Sequence, residues 1–191
     1  MDFLNEPINA AIFSRFFQGK TACCFTGHRP RALPKEDSPE GHALQEKLAL
    51  AVAAAAETGV TTFLAGGAMG FDTLAAEAVI KERLRHPGLR LVLALPAEDQ
   101  AALWREQDRQ RYERILLEAT ETHYAALKST PQAMRKRNRY LAEHADCCLC
   151  WLASSAGGTF YTVSKALERG IPVYNLCTGD ILLPEAKEEE A

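Results

Sequence analysis

No run of apolar residues in this 191-residue chain approaches the roughly 20 that a membrane-spanning helix needs. The opening stretch Met1-Asp2-Phe3-Leu4-Asn5-Glu6-Pro7 lacks the basic region that starts a secretory signal. Neither sign of charge dominates. The 22 Lys and Arg face 25 Asp and Glu, a net charge of −3, which exerts no global pull on nucleic acid or a membrane surface. No internal repeat and no linker divides the chain, and its length fits one domain with a core that needs no staples. The six cysteines lack the loop spacing of a disulfide framework, since Cys23-Cys24 and Cys147-Cys148 are adjacent pairs inside apolar runs. Cys147 and Cys150 form a C-x-x-C, but residues three apart on a strand face opposite sides, so no metal is expected there. The cysteines read as small buried hydrophobes, and the expected location is cytoplasmic and reducing.

What the chain does have is alternation. Ala22–Phe25, Val60–Ala65, Leu89–Leu95, Glu121–Tyr124, Cys147–Leu152 and Ile171–Leu176 read as strands. Between them lie helical periodicities. Leu44, Leu48, Val52 and Ala55 share one face, stopped by Gly59, and Asp72 caps a helix through Leu74, Ala75, Ala78, Val79 and Leu84. Asp99 opens one long helix through Leu103, Trp104, Tyr112, Ile115 and Leu116; Ala133–His144 and Thr162–Arg169 are two more. Residues 1–20, with Ile8, Ile12, Phe13, Phe16 and Phe17, form an amphipathic helical extension, and residues 181–191 an acidic tail. Continuous apolar strands alternating with helices predict a single α/β domain over residues 21–180. Its core is an open, mostly parallel sheet with helices on both faces.

In such sheets ligands sit beyond the carboxyl ends of the strands, and three loops there carry the candidate site. Gly66-Gly67-Ala68-Met69-Gly70 and Gly157-Gly158-Thr159 each join a strand to a helix start, where backbone N–H groups and the helix dipole favour an anion. The first lacks the lysine and Ser/Thr of a P-loop and the spacing of G-x-G-x-x-G. Each reads either as a phosphate cradle or as a tight turn. Thr26-Gly27-His28-Arg29 ends the first strand; Arg29 suits bidentate recognition of a phosphate, and His28 suits either proton transfer or a structural hydrogen bond. Within the basic run Met134–Arg139, Arg137 and Asn138 are the residues expected to face the sheet edge. Asp72 reads as a helix cap ahead of a catalytic acid, and Trp104 and Tyr112 as core or as a stacking surface for a base.

Thr-Gly-His-Arg-Pro at 26–30, Gly66 to Asp72, Gln100 with Trp104, Arg137-Asn138 and Gly157-Gly158-Thr159 together resemble the YpsA-like family of the SLOG superfamily, from about Thr21 to Leu176. That resemblance implies a Rossmann-like fold and a nucleotide-derived ligand, such as a nucleotide, NAD or an ADP-ribose-like molecule, with no required cofactor and no established reaction. The LOG phosphoribohydrolases, which split nucleoside monophosphates, share Met134, Arg137, Asp146 and Gly158-Thr159. Asn138 replaces their lysine, and Thr162 stands where they place the catalytic Glu. Breaking an N-glycosidic bond needs a carboxylate against the developing positive charge, so a hydrolase here would use Arg137 with Asp72 or His28 instead. DprA, a third relative, binds single-stranded DNA, which requires a basic groove with stacking aromatics. One basic run and an acidic balance argue against that use. The expected reading is a nucleotide-binding or sensing domain whose partner is a phosphate-bearing small molecule, with a homodimer open as its assembly.

Overall fold

The structure, a computed structural model, describes residues 10–185. Ile8 and the tail beyond residue 185 lie outside those residues. Seven strands form one sheet: β1 (Ala22–Gly27), β2 (Thr62–Ala65), β3 (Arg90–Leu95), β4 (Glu121–Tyr124), β5 (Cys147–Trp151), β6 (Val173–Asn175) and β7 (Ile181–Leu182). Their order is β4-β3-β2-β1-β5-β6-β7, with β1 to β6 parallel and β7 antiparallel to β6. The chain builds outward from β1 to β4 and then returns to lay β5 beside β1. That reversal is the topological switch point, where two neighbouring loops leave the sheet in opposite directions and open a crevice.

Six helices cover the sheet: α1 (Ala10–Phe17), α2 (Pro39–Glu57), α3 (Phe71–Glu82), α4 (Glu106–Glu118), α5 (Pro131–Glu143) and α6 (Gly157–Glu168). Residues from α1 to α4 pack one face with Phe25, Phe63, Leu91, Leu93 and Leu149; residues of α5 and α6 pack the other with Leu64, Val92 and Cys148. Side chains alternate faces along a strand, so the fully buried β5 feeds both cores. Cys147 belongs to one and Cys150 to the other, which splits the C-x-x-C as its spacing predicts. All six cysteines are free thiols, and five are buried. In α1, Phe13 and Phe16 pack on Tyr174 with ring centroids 4.9 and 5.7 Å away.

Helix starts follow local chemistry. Ser38 accepts the N–H of Gly41 ahead of α2, and Thr130 that of Ala133 ahead of α5, each with Pro at the first position. The single helix expected from Asp99 to Leu116 is instead a 3-10 turn over Glu98–Ala101 and a separate α4. Trp104 packs edge-on against Tyr112 with centroids 5.2 Å apart. Eight residues of continuous helix would separate them by about 12 Å, so the contact requires the break. The helix α6 starts at Gly157 rather than Thr162, and β6 is shorter than Ile171–Leu176. The strand β7 enters the segment read as tail; its signal was the apolar Ile181-Leu182 just after the turn Thr178-Gly179-Asp180.

Asp146 lies at the opposite, amino end of the sheet. Its Oδ2 accepts the N–H and hydroxyl of Thr21, both at 2.8 Å, and the N–H of Ala22 at 3.0 Å, clamping β1 to β5. The residue shared with the hydrolase motif is therefore a sheet clamp. The Thr21 N–H chiefly holds its carboxyl below the usual range. A depressed native pKa stabilises the fold above the unfolded value of about 3.9 and loses that contribution as pH falls through the native value. Asp146→Ala is expected to cost about 1–3 kcal/mol in urea unfolding at neutral pH. The gap from wild type should shrink as pH falls from about 3.9 and close below the lowered native value; a gap unchanged across that range would remove the charge from the account.

Candidate functional site

Beyond the carboxyl ends of β1, β2 and β5 lies a cavity of about 210 Å³. It is lined by Thr26, Gly27, His28, Arg29, Ala68, Asp72, Met134, Arg137, Asn138, Ala156, Gly157, Gly158 and Thr159. It sits at the switch point between β1 and β5. Four loops and helices thus meet there, each delivered by a different strand crossing.

The electrostatic centre is a buried ion pair. Arg137 from α5 places Nη1 3.3 Å from Oδ2 of Asp72 on α3, with the side chains 8% and 4% exposed. Charge-assisted contacts normally close to about 2.7–2.9 Å, so this one is loose. Arginine has five N–H donors, and the buried Nε of Arg137 has no partner among the described residues. Burial pushes the Asp72 carboxyl up against the opposing pull of Arg137, Arg29 and the Ala68 N–H. Burial likewise lowers Arg137 against the pull of Asp72. Both directions say the mutual attraction does not offset the loss of water. Arg29, exposed at the mouth, adds a second positive charge.

Opposite the pair is the start of α6, which no side chain caps. Its first N–H groups, at 157–159, are among those that an α-helix leaves without internal partners. Asn138, 9% exposed, faces them: its Nδ2 lies 3.8 Å from where a Cβ on Gly158 would sit. Thr162 is fully buried and donates its hydroxyl to the Gly158 carbonyl at 2.9 Å, so it supports the turn from below rather than lining the cavity. Asp72 is the sole carboxylate among the lining residues.

The expected site residues Gly66, Gly67, Met69 and Gly70 do not line the cavity. A Cβ on Gly66 would lie 1.6 Å from Arg137 Nη1 and 2.5 Å from Asp72 Oδ2, so its role is to admit the ion pair. Gly67 gives its carbonyl to Gln100 Nε2 at 3.0 Å, and Met69 is half-buried. Gly70 has φ of +96° and abuts the His28 carbonyl, where a Cβ would come within 2.6 Å. The first glycine turn is scaffold, with Ala68 alone of 66–70 on the lining. Gly70, not Asp72, holds the cap position of α3; Asp72 sits inside the first turn with its side chain turned back to Arg137. Met134 and Ala156 were not among the expected residues. Met134 lies three residues before Arg137, which puts both on one helix face. Trp104 and Tyr112 belong to the core, and burial pushes the Tyr112 hydroxyl up to about 12. Among the described residues no group of three or more His, Cys, Asp or Glu is placed to hold a metal ion.

The strand order and the switch-point cavity define a single-domain, Rossmann-like α/β protein. The chain belongs to the YspA SLOG family, whose sequence model matches residues 23–170. UPF0398 proteins of Bacillus thuringiensis (strain Al Hakam) and Bacillus cereus (strain AH187) are each 27% identical over 150 residues, 76% of this chain and 82% of theirs. The structure of DNA processing protein A (DprA) from Streptococcus pneumoniae superposes with a TM-score of 0.57 at 17% identity. It covers 85% of this chain, which spans only 51% of that protein. DprA from Helicobacter pylori, described with a single-stranded DNA binding mode, gives 0.57 at 15% identity over 83% of this chain and 66% of its own. At such identities the likeness establishes the fold alone. No helix among the described residues is long and apolar enough to cross a membrane.

Two glycine substitutions separate scaffold from cradle. Gly66→Ala is expected to displace the ion pair and cost at least about 2 kcal/mol in chemical unfolding. Gly158→Ala, whose Cβ meets nothing closer than Asn138 Nδ2 at 3.8 Å, should stay within about 1 kcal/mol of wild type. Equal costs would contradict the assignment of Gly66 to the ion pair.

Proposed function

We propose that this protein binds a nucleotide or nucleotide-derived ligand at the switch-point cavity, as a binding or sensing domain rather than a catalyst. The observation that carries the reading is the buried Arg137 guanidinium, whose Nε has no partner among the described residues, on the lining of a cavity that also takes in the uncapped start of α6. A phosphate there would take N–H groups of 157–159 together with the guanidinium, the standard chemistry of anion capture at a helix N-terminus. Arg29 at the mouth suits a second negative charge, as in a diphosphate. Asn138 offers an acceptor for a sugar hydroxyl beside the phosphate. The cavity, about 210 Å³, is smaller than the roughly 300–1,000 Å³ of sites that enclose a drug-sized ligand, so it suits the phosphate and sugar with the base outside.

Two other uses fit less well. Cleavage of an N-glycosidic bond needs a carboxylate free to face the sugar; Asp72 is committed to Arg137, and Thr162 occupies the position of the catalytic Glu in the resembling hydrolases. Single-stranded DNA binding of the kind named for the H. pylori protein draws on stacking aromatics, and no Phe, Tyr or Trp lines this cavity.

Calorimetric titration with adenosine monophosphate, NAD and ADP-ribose tests the reading. At least one is expected to bind, and at about 100 times its dissociation constant to raise stability by about 2.7 kcal/mol. Arg137→Gln, which keeps a polar group beside Asp72, should weaken that ligand at least about tenfold. Unchanged affinity would place the ligand elsewhere. Incubation with nucleoside monophosphates is expected to release no base, and release would favour the hydrolase.

A further inference from the structure

The residue His28 joins three loops of the cavity. Its carbonyl accepts the N–H of Phe71, the first residue of α3, at 3.2 Å. The backbone of Gly70 packs close against that carbonyl. The base of the side chain is therefore fixed by the scaffold turn. The imidazole reaches across to the β5–α6 turn, where Nε2 accepts the N–H of Ala153 at 2.9 Å. A backbone N–H only donates, so Nε2 carries no proton and the ring keeps its hydrogen on Nδ1.

The β5–α6 turn has little else to hold it. Its near end is pinned where Asn175 accepts the Leu152 N–H at 3.0 Å and donates to the Leu152 carbonyl at 2.9 Å. From Ala153 to Gly158 the chain is exposed, and Gly157, at φ of +86°, has nothing within 4 Å of where a Cβ would sit. The chain thus enters α6 through an exposed turn fixed at Leu152 and latched at Ala153, ahead of the buried Thr159 and Thr162.

We propose that His28 is a positioning residue, whose neutral imidazole latches the β5–α6 turn and thereby sets where the first amides of α6 meet the anion of the ligand. The proposal rests on the anion-site reading above. The charged groups lining the same cavity are Arg29 on its own loop, Asp72 from α3 and Arg137 from α5; the turn 153–158 brings no titratable side chain. Protonation would turn a second N–H against that of Ala153 and add a third cation to Arg29 and Arg137. Burial already lowers the His28 pKa from its ordinary value. The latch is thus closed above about pH 6.5 and lost as pH falls through the lowered native value.

The test has one arm without ligand and one with it. In the 15N-labelled full chain at about pH 7.5, imidazole nitrogen spectra should show the Nδ1–H form of His28. On acidification the Ala153 amide should shift in step with that ring. Adenosine monophosphate is then titrated into wild type, His28→Ala and His28→Gln at about pH 7.5 and at an acidic pH where the ring spectrum shows His28 protonated. Dividing wild-type affinity by the Gln variant's cancels the titration of the phosphate itself. His28→Ala should lose about tenfold at the higher pH, and His28→Gln, with an acceptor oxygen that does not titrate, should recover part of it. The wild-type to Gln ratio should fall at least about threefold on acidification. A proton on Nε2 at the higher pH would overturn the latch. So would a ratio that rises on acidification, which would mean that the imidazolium touches the anion directly. Absence of adenosine monophosphate binding, with the tautomer and the Ala153 titration as expected, would overturn the ligand reading and leave the latch standing.

Discussion

The architecture of this carboxyl edge depends on one buried ion pair, Arg137 with Asp72, held without backbone room to spare. Burying two charges is unfavourable unless their partners are complete, and here they are not. The contact is long, one guanidinium nitrogen has no partner among the described residues, and burial shifts both groups toward their neutral forms. The ligand proposed above would complete it. The surrounding sequence serves that pair. Gly66 clears the space for it, the first turn of α3 turns Asp72 inward, and α5 carries Arg137 and Asn138 side by side to the same opening.

The two glycine turns, alike in composition, do different work. The first is packed against the ion pair, the Gln100 side chain and the His28 carbonyl, so it fixes geometry and presents little to a ligand. The second stays open, with exposed glycines at the uncapped start of a helix. On the reading proposed above, the packed first turn is the scaffold and the uncapped helix start is the side that meets an anion. Within that helix start, Thr162 spends its hydroxyl on its own helix turn.

The sheet was legible because a parallel strand buried on both faces must be apolar throughout, as Ala22–Phe25 and Cys147–Leu152 are. That the candidate loops lie beyond the carboxyl ends of the strands was legible in the same alternation, whereas the switch point between β1 and β5 came from the strand order of the structure. What stayed hidden depended on contacts between distant residues. The break between the Glu98–Ala101 turn and α4 follows from Trp104 reaching Tyr112, which helical periodicity cannot register. The role of Gly66 depends on an arginine 71 positions later in the chain, and nothing in the local motif separates it from a phosphate-binding glycine. Asp72 resembled a cap because it is an acidic residue at a helix start; Gly70, with its positive φ, took that place and released Asp72 to the site. His28 was open between acid–base and structural use, and its bond to Ala153 is the structural kind.

The measurement that bears most directly on this account is an amide and guanidinium 15N–1H titration of the full chain with a phosphate-bearing nucleotide such as adenosine monophosphate. The account predicts that the amides of Gly157, Gly158 and Thr159 and the Nε–H of Arg137 shift together along one saturating curve, while Gly66, Gly67 and Gly70 move little. Shifts concentrated at 66–70 with Arg137 Nε–H unmoved would contradict it.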